Sequence, residues 1–342
     1  MSFEDYEPIS TLVVEENPRI RAKYPFIDVH SHQWNMPKKD LHKLAAEMDS
    51  LNMGVMINLS GRGWGDPEYL KASIENIEEN QPDRFILFTN IRFEAIDDPN
   101  WSELTAKQIE LDVKAGAKGL KIYKNLGMTA KDKAGNRIAV DDPRLDPVWA
   151  KCGELGVPVL IHTGEPAAFW KPRDKYNERW LELKQKPGRY RDPQTNISWE
   201  ELMAEQHRMF RKHPNTIFIN AHLGWFANDL QFFGKLLDEI PNMYSEIGAV
   251  LAELGRQPRA AREFLIKYQD RILFGKDSYR PIEFPVYFRV LETADEYFDY
   301  YRKRHAFWKM YGLDLPDEVL KKIYYKNALK IIPGIDASRF PE

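Results

Sequence analysis

Eight short runs of β-branched and apolar residues, at 26–30, 54–60, 85–93, 117–124, 157–164, 216–224, 242–248 and 271–277, alternate with segments of helical spacing. The segment 40–52 puts Leu41, Leu44, Ala45 and Met48 on one face, and 199–213 does the same with Leu202, Met203 and Phe210. Strand followed by helix, eight times over, predicts an α/β chain folded as a closed (β/α)8 TIM barrel rather than an open doubly wound sheet. Such a barrel often takes ~250 residues or more as one unit, so 342 residues need not be divided. Asp66-Pro67 and Ser102 with Thr105 read as helix starts, and Gly116 and Gly156 stand where C-terminal caps belong.

Residues 1–25 do not fit the repeat and are expected to form an N-terminal arm on a single domain spanning 26–342. Residues 165–197, rich in Pro, Trp, Arg and Lys, form a long insertion after the fifth strand; a loop of that length is usually functional or disordered. Residues 280–342 form a C-terminal helical extension, with 287–308 and 316–329 expected as extra helices on the barrel. Forty-nine basic against 52 acidic residues leave a formal charge of -3, which excludes a nucleic-acid partner held mainly through phosphates. No apolar run approaches the ~20 residues that span a bilayer, and the first residues lack the basic and apolar regions of a signal peptide. A soluble chain is expected, cytoplasmic, or periplasmic or secreted if a signal peptide has been removed.

Four of the eight histidines, His30, His32, His162 and His222, fall at the C-terminal ends of expected strands, the barrel face that carries active sites. His30 and His32 are two apart on a strand, so both point to one side and can grip one ion. Asp277 ends the last strand, next to the first in a closed barrel. The single cysteine, Cys152, allows neither an intrachain disulfide nor a cysteine zinc site, so a metal must use His and carboxylates. Such donors suit one or two divalent ions, zinc first, with manganese or another transition ion as the alternative. A lone strand-end histidine is usually a hydrogen-bonded rim residue; four of them with an aspartate are not explained that way. His42, His207, His213 and His305 are read as surface or packing residues.

The runs Ile27-Asp28-Val29-His30-Ser31-His32, Val159-Leu160-Ile161-His162-Thr163, Asn220-Ala221-His222-Leu223-Gly224 and Ile272-Leu273-Phe274-Gly275-Lys276-Asp277 resemble the amidohydrolase superfamily. The likeness is to its amidohydrolase-related (amidohydrolase 2) metal-dependent branch and covers roughly residues 24–335. It implies that His30, His32 and His162 are metal ligands, that His222 is a ligand or acts on substrate, and that Asp277 binds metal and shuttles the proton of an attacking water. The run Gly116-Ala117-Lys118-Gly119-Leu120-Lys121-Ile122 is similar to the segment in which urease-like members carry a carboxylated lysine bridging two metals. Lys121 is the candidate and Lys124 the alternative; the plain reading is an unmodified lysine that pairs with a carboxylate or binds substrate. A desolvated lysine near cations loses its proton and can add carbon dioxide as a carbamate.

Asp28 shares the His30 side deeper in the barrel and is read as a hydrogen-bond acceptor behind the ligands. Lys276 stands where a small or hydroxyl residue is expected, and alternation turns it away from Asp277 into an ion pair of the helix layer or a loop. In the insertion, Trp170, Arg173 and Arg179 are candidates for a lid that binds an anionic or sugar-like substrate, as is Arg256 after strand seven. The alternative is a solvated segment, or one that contacts another copy in a homo-oligomer. These readings lead to a metal-dependent hydrolase that turns an activated water on a small-molecule ester, lactone, amide or phosphoester. The competing reading is a non-oxidative decarboxylase of the same branch; a barrel that only binds a ligand comes third.

Overall fold

The computed structural model describes residues 1–2, 4–63 and 65–341. Eight parallel barrel strands follow one another: β1 (Phe26–Ser31), β2 (Met53–Asn58), β3 (Phe85–Leu87, continued past Phe88 by Thr89–Asn90), β4 (Leu120–Ile122), β5 (Val159–Ile161), β6 (Phe218–Asn220), β7 (Met243–Glu246) and β8 (Ile272–Leu273). Almost every strand residue is buried, as expected where helices cover one face and the barrel interior the other. Neighbours pair in chain order, with Met56 against Phe85, Leu120 against Val159, Phe218 against Met243 and Ser245 against Ile272. The ring closes between β8 and β1: Val29 N donates to Phe274 O at 3.0 Å and Asp277 N to His30 O at 2.7 Å. The chain is therefore a TIM barrel.

The helical layer consists of α1 (Leu41–Leu51), α2 (Pro67–Asn80), α3 (Trp101–Ala115), α4 (Asp146–Glu154), α5 (Trp199–Lys212), α6 (Leu230–Glu239), α7 (Pro258–Lys267) and α8 (Phe284–Glu292). In α1, Leu41, Leu44, Ala45, Met48 and Leu51 are buried at i, i+3, i+4, i+7 spacing, and the Asp40 carboxylate caps the helix at Lys43 N. Asp66 caps α2 with Pro67 in its first turn, and Ser198 caps α5 at Glu201 N. Gly116 (φ 132°) ends α3, and Gly156 (φ 66°) follows α4. The expected start of α3 at Ser102 is displaced: Asn100 precedes the helix, and the Ser102 hydroxyl donates to Arg144 O at 2.7 Å instead.

Two expectations about the irregular stretches need correction. The 165–197 insertion is not structureless: it carries short helices at Ala167–Trp170, Trp180–Gln185 and Pro187–Arg189. The 287–308 stretch is not a helix throughout. α8 ends at Glu292, where the Thr293 hydroxyl turns back to Arg289 O, and 293–316 run as a loop with a Phe298–Met310 bridge. Helix resumes at Asp317 and continues to Ile331. The arm lacks helix and strand among its described residues and is held in part by Asn17, whose backbone and side-chain N–H groups both bind Asp295. No helix among the described residues is long and apolar enough to cross a membrane.

Candidate metal centre

The C-terminal ends of β1, β4, β5, β6, β7 and β8 converge on a buried cluster of imidazoles and carboxylates. His30 and His32 leave the end of β1 on the same side, their ring centroids 5.4 Å apart. Asp277, carried across the closing seam, places Oδ1 3.6 Å from His30 Nε2 and 3.9 Å from His32 Nε2. Two ligand atoms on a tetrahedral ion at ~2.1 Å stand about 3.4 Å apart, so these three side chains bracket an ion-sized space. His222 stacks on His30 with centroids at 4.9 Å, and His162 packs edge-on against His222 at 4.5 Å.

Which nitrogen faces that space follows from the partner on the other side of each ring. His30 Nδ1 lies 2.9 Å from Glu246 Oε1, His32 Nδ1 2.9 Å from Ser60 Oγ, and His222 Nδ1 2.8 Å from Gly248 O. The Nε2 atoms are left as ligands, the usual arrangement around a metal. His162 Nε2 and His222 Nε2 are buried without any hydrogen-bond partner. A buried polar atom in that state is costly in a metal-free fold and natural in a metal-binding one. These donors fit a divalent ion.

Burial sets the charge state of the cluster. It drives the His30 and His162 imidazoles far below the ordinary histidine value, and His32 down to about 4, with Lys121 adding to the shift in each. The rings are therefore neutral and ready to ligate at pH 7. Burial also pushes Lys121 down to about 7, against the pull of Asp277 and Glu246, and its Nζ stands 3.4 Å from His30 Nε2. Lys124 is different: it is half exposed and paired with Glu165, so Lys121 is the lysine the fold brings to the centre. For Asp277 burial acts upward, but His30, His222, His32 and Lys121 outweigh it and hold the carboxyl at about 2.

The backbone is strained at the same place. Among the described residues nine non-glycine positions have positive φ, and His222, Leu223, Trp225, Ala249 and Asp277 are five of them. Left-handed geometry costs roughly 1–2 kcal/mol per L-residue, so its concentration at one barrel mouth points to function there.

The Amidohydrolase family matches residues 27–333, nearly the whole described barrel. The chain belongs to the amidohydrolase family. Its fold is similar to that of 4-oxalomesaconate hydratase from Rhodopseudomonas palustris, at 12% identity over 92% of this chain and 97% of that one, with a TM-score of 0.52. It is also similar to 5-carboxyvanillate decarboxylase from Sphingomonas paucimobilis, at 14% identity over 90% and 99% of the two chains, with a TM-score of 0.51. A third likeness is to a zinc-bound amidohydrolase from Burkholderia multivorans, at 13% identity over 90% and 98%, with a TM-score of 0.50. A search of curated proteins found no match.

In this amidohydrolase the cavity beside the cluster holds about 690 Å³, with Lys121 and Tyr123 among its lining residues together with Trp34, Asn90 and Phe93. Arg92, Lys124 and Lys131 also line it, with Arg92 paired to Glu94 and Lys124 to Glu165. The four residues expected to bind substrate from the insertion and from strand seven do not line it. Trp170 is buried, with its indole N–H on Ile197 O. Arg179, 4% exposed, pairs with Glu182 and Glu253, since a guanidinium taken out of water needs carboxylate partners. Arg256 pairs with Glu178 and stacks on Trp308, and Arg173 lies over the Tyr190 ring. Ion pairs between the insertion and the segment after β7, Arg179 with Glu253 and Arg256 with Glu178, thus hold two of these arginines in place.

Asp28 accepts from His30 N and Lys276 N, both at 3.1 Å, and burial raises its carboxyl to about 8. Lys276 Nζ pairs with Glu283 at 2.5 Å, away from the cluster. Glu246, Ser60, Tyr123 and Trp225 are contacts of the site that sequence reasoning passed over. Tyr123 Oη lies 3.0 Å from Ser60 Oγ, extending the His32 contact into the cavity, and Trp225 packs on both His162 and His222. Glu246 had a signal: it ends the seventh strand, as Asp277 follows the eighth.

Proposed function

We propose that the protein is a metal-dependent hydrolase acting on a small-molecule ester, lactone, amide or phosphoester. The observation that carries this reading is Asp277. Its carboxylate, ionised and one-third exposed, stands at ion-bracketing distance from His30 and His32 and so can take a proton from a water held at that point. His30, His32, His222 and Asp277 would hold the ion, with His162 at its edge. A divalent ion bound there, zinc or else manganese, supplies Lewis acidity that lets a water deprotonate near neutral pH and polarises a carbonyl or phosphoryl oxygen. The Asp277 carboxylate, through the oxygen that does not hold the ion, would then pass the accepted proton to the leaving group. His222, its Nδ1–H held by Gly248 O, presents a bare Nε2 as a ligand or, if it is not one, as a proton acceptor towards the substrate. Lys121, largely neutral above pH 7, can add carbon dioxide with loss of a proton and so offer two carbamate oxygens to a second ion.

Lys121 and Lys131 in the cavity wall favour a second reading. A carboxylate-bearing substrate would be drawn there, and the same centre could protonate carbon as carbon dioxide leaves. The test is a screen of lactones, amides, phosphoesters and hydroxybenzoates with zinc- or manganese-loaded protein and with chelated protein. Metal-dependent hydrolysis supports the first reading; carbon dioxide release from a hydroxybenzoate without hydrolysis replaces it with the second.

A further inference from the structure

Glu246 is fully buried, and its two carboxylate oxygens face the hydrogen-bond donors of His30, His222 and Gly248, with His222 Nδ1 also 3.3 Å from Oε1. Oε1 lies 2.9 Å from His30 Nδ1 and accepts from His222 N at 2.8 Å, while Oε2 accepts from Gly248 N. The space is shaped for it: a Cβ on Gly248 or on Gly275 would stand 2.6 Å from Oε2, so both positions are closed to any larger residue unless the carboxylate moves. A carboxylate can accept on both oxygens, whereas an amide must turn its NH2 towards a donor. The cradle therefore calls for Glu at this position, not for a polar residue of similar size.

One carboxylate thus reaches two histidines that come from β1 and β6. It fixes the ring of His30 by accepting a hydrogen bond from Nδ1–H, and it fixes the backbone of His222 in its left-handed conformation (φ 60°). Gly248, whose N–H binds Oε2, also offers the carbonyl that accepts from His222 Nδ1–H, so the second imidazole is set through the same turn.

We propose that Glu246 is a positioning residue that locks His30 in its Nδ1–H tautomer and aligns His222, so that both present Nε2 to one ion. This deepens the metal-dependent reading above and rests on it. Without that lock His30 exchanges tautomers, and a protonated Nε2 cannot ligate. The negative charge also lies one imidazole away from the bound cation and strengthens the ligand it orients.

The test uses the full chain, metal-free and zinc-loaded, as wild type and as Glu246→Gln. In metal-free wild type, 15N chemical shifts of the His30 ring should show one tautomer with the proton on Nδ1; in Glu246→Gln both tautomers should appear. Zinc affinity, measured against a competing chelator on folded protein, should fall about 10- to 100-fold. A merely structural role would lower the Tm and leave the tautomer and the affinity alone. Glu246→Asp, which keeps the charge but draws the carboxylate back from His30 Nδ1, should weaken zinc in the same direction and guards against misfolding of the first variant. An unchanged tautomer, or zinc affinity within threefold of wild type in both variants, overturns the proposal. If wild type itself takes up no zinc or manganese, the metal-centre reading fails instead, and the tautomer measurement still decides the role of Glu246.

Discussion

Asp277 Oδ1 stands 3.6 Å from His30 Nε2 across the seam where β8 closes against β1. The residues are far apart in the chain, and the contact exists because Asp277 N donates to His30 O at 2.7 Å and Asp277 then turns through φ 80°. Barrel closure and site assembly are the same event here. Replacing Asp277 by Asn keeps the shape and the seam hydrogen bond while removing the proton acceptor. Turnover of whichever substrate the screen identifies should fall ~10²- to 10⁴-fold, with part of the metal retained. Steady-state kinetics on metal-matched protein checks this, and activity within threefold of wild type removes Asp277 from the chemistry.

His30 and His32 should be the anchor of the ion. His30→Ala combined with His32→Ala should bring the metal content of zinc-supplemented protein below about a tenth of an equivalent, because two of the neutral nitrogens around the bracketed space are gone. Elemental analysis of folded protein reads the result; an unchanged content would put the ion elsewhere.

Lys121 separates a one-ion from a two-ion centre. If it is carboxylated, intact-protein mass spectrometry under bicarbonate and metal should show the added carbon dioxide, and Lys121→Ala should lower metal content towards one equivalent. A short carboxylic acid in the buffer should then restore part of the loss by taking the vacated position. Full metal content in Lys121→Ala, with no mass increment in wild type, would leave Lys121 an unmodified lysine.

Acid should destabilise the metal-free protein well above the usual carboxylate range. Burial lowers His30 and His162 far below 6.5, His32 and His207 to about 4, and His305 to about 2. More than about one pH unit above 6.5 these rings are neutral in both the folded and the unfolded chain. As pH falls below that value the unfolded chain takes up protons that the folded one refuses, so stability is lost on the way down. Each ring contributes at most about 1.4 kcal/mol per pH unit. Urea unfolding at pH 7.5, 6.5 and 5.5 should show a smaller loss over the first step than over the second, where it should reach at least about 2 kcal/mol. A flat profile down to pH 5.5 would contradict the burial of these rings.

Much of this architecture was legible in residue order. The alternation of apolar runs and helical faces located all eight strands and the barrel, because periodicity is a local property that each segment expresses on its own. The strand-end histidines and Asp277 were legible for the same reason: strand direction sets which end meets the mouth. Glu246 and the fate of the insertion were not. Arg179 and Arg256 look like substrate ligands in a linear sequence, and only the folded chain shows Glu253 and Glu178 already beside them. Glu246 looks like one acidic residue among many until the barrel brings His30 Nδ1 to 2.9 Å from it, 216 residues away. Hydrogen bonds and ion pairs depend on distances of a few ångströms between elements distant in sequence, and closure of the ring is what sets those distances.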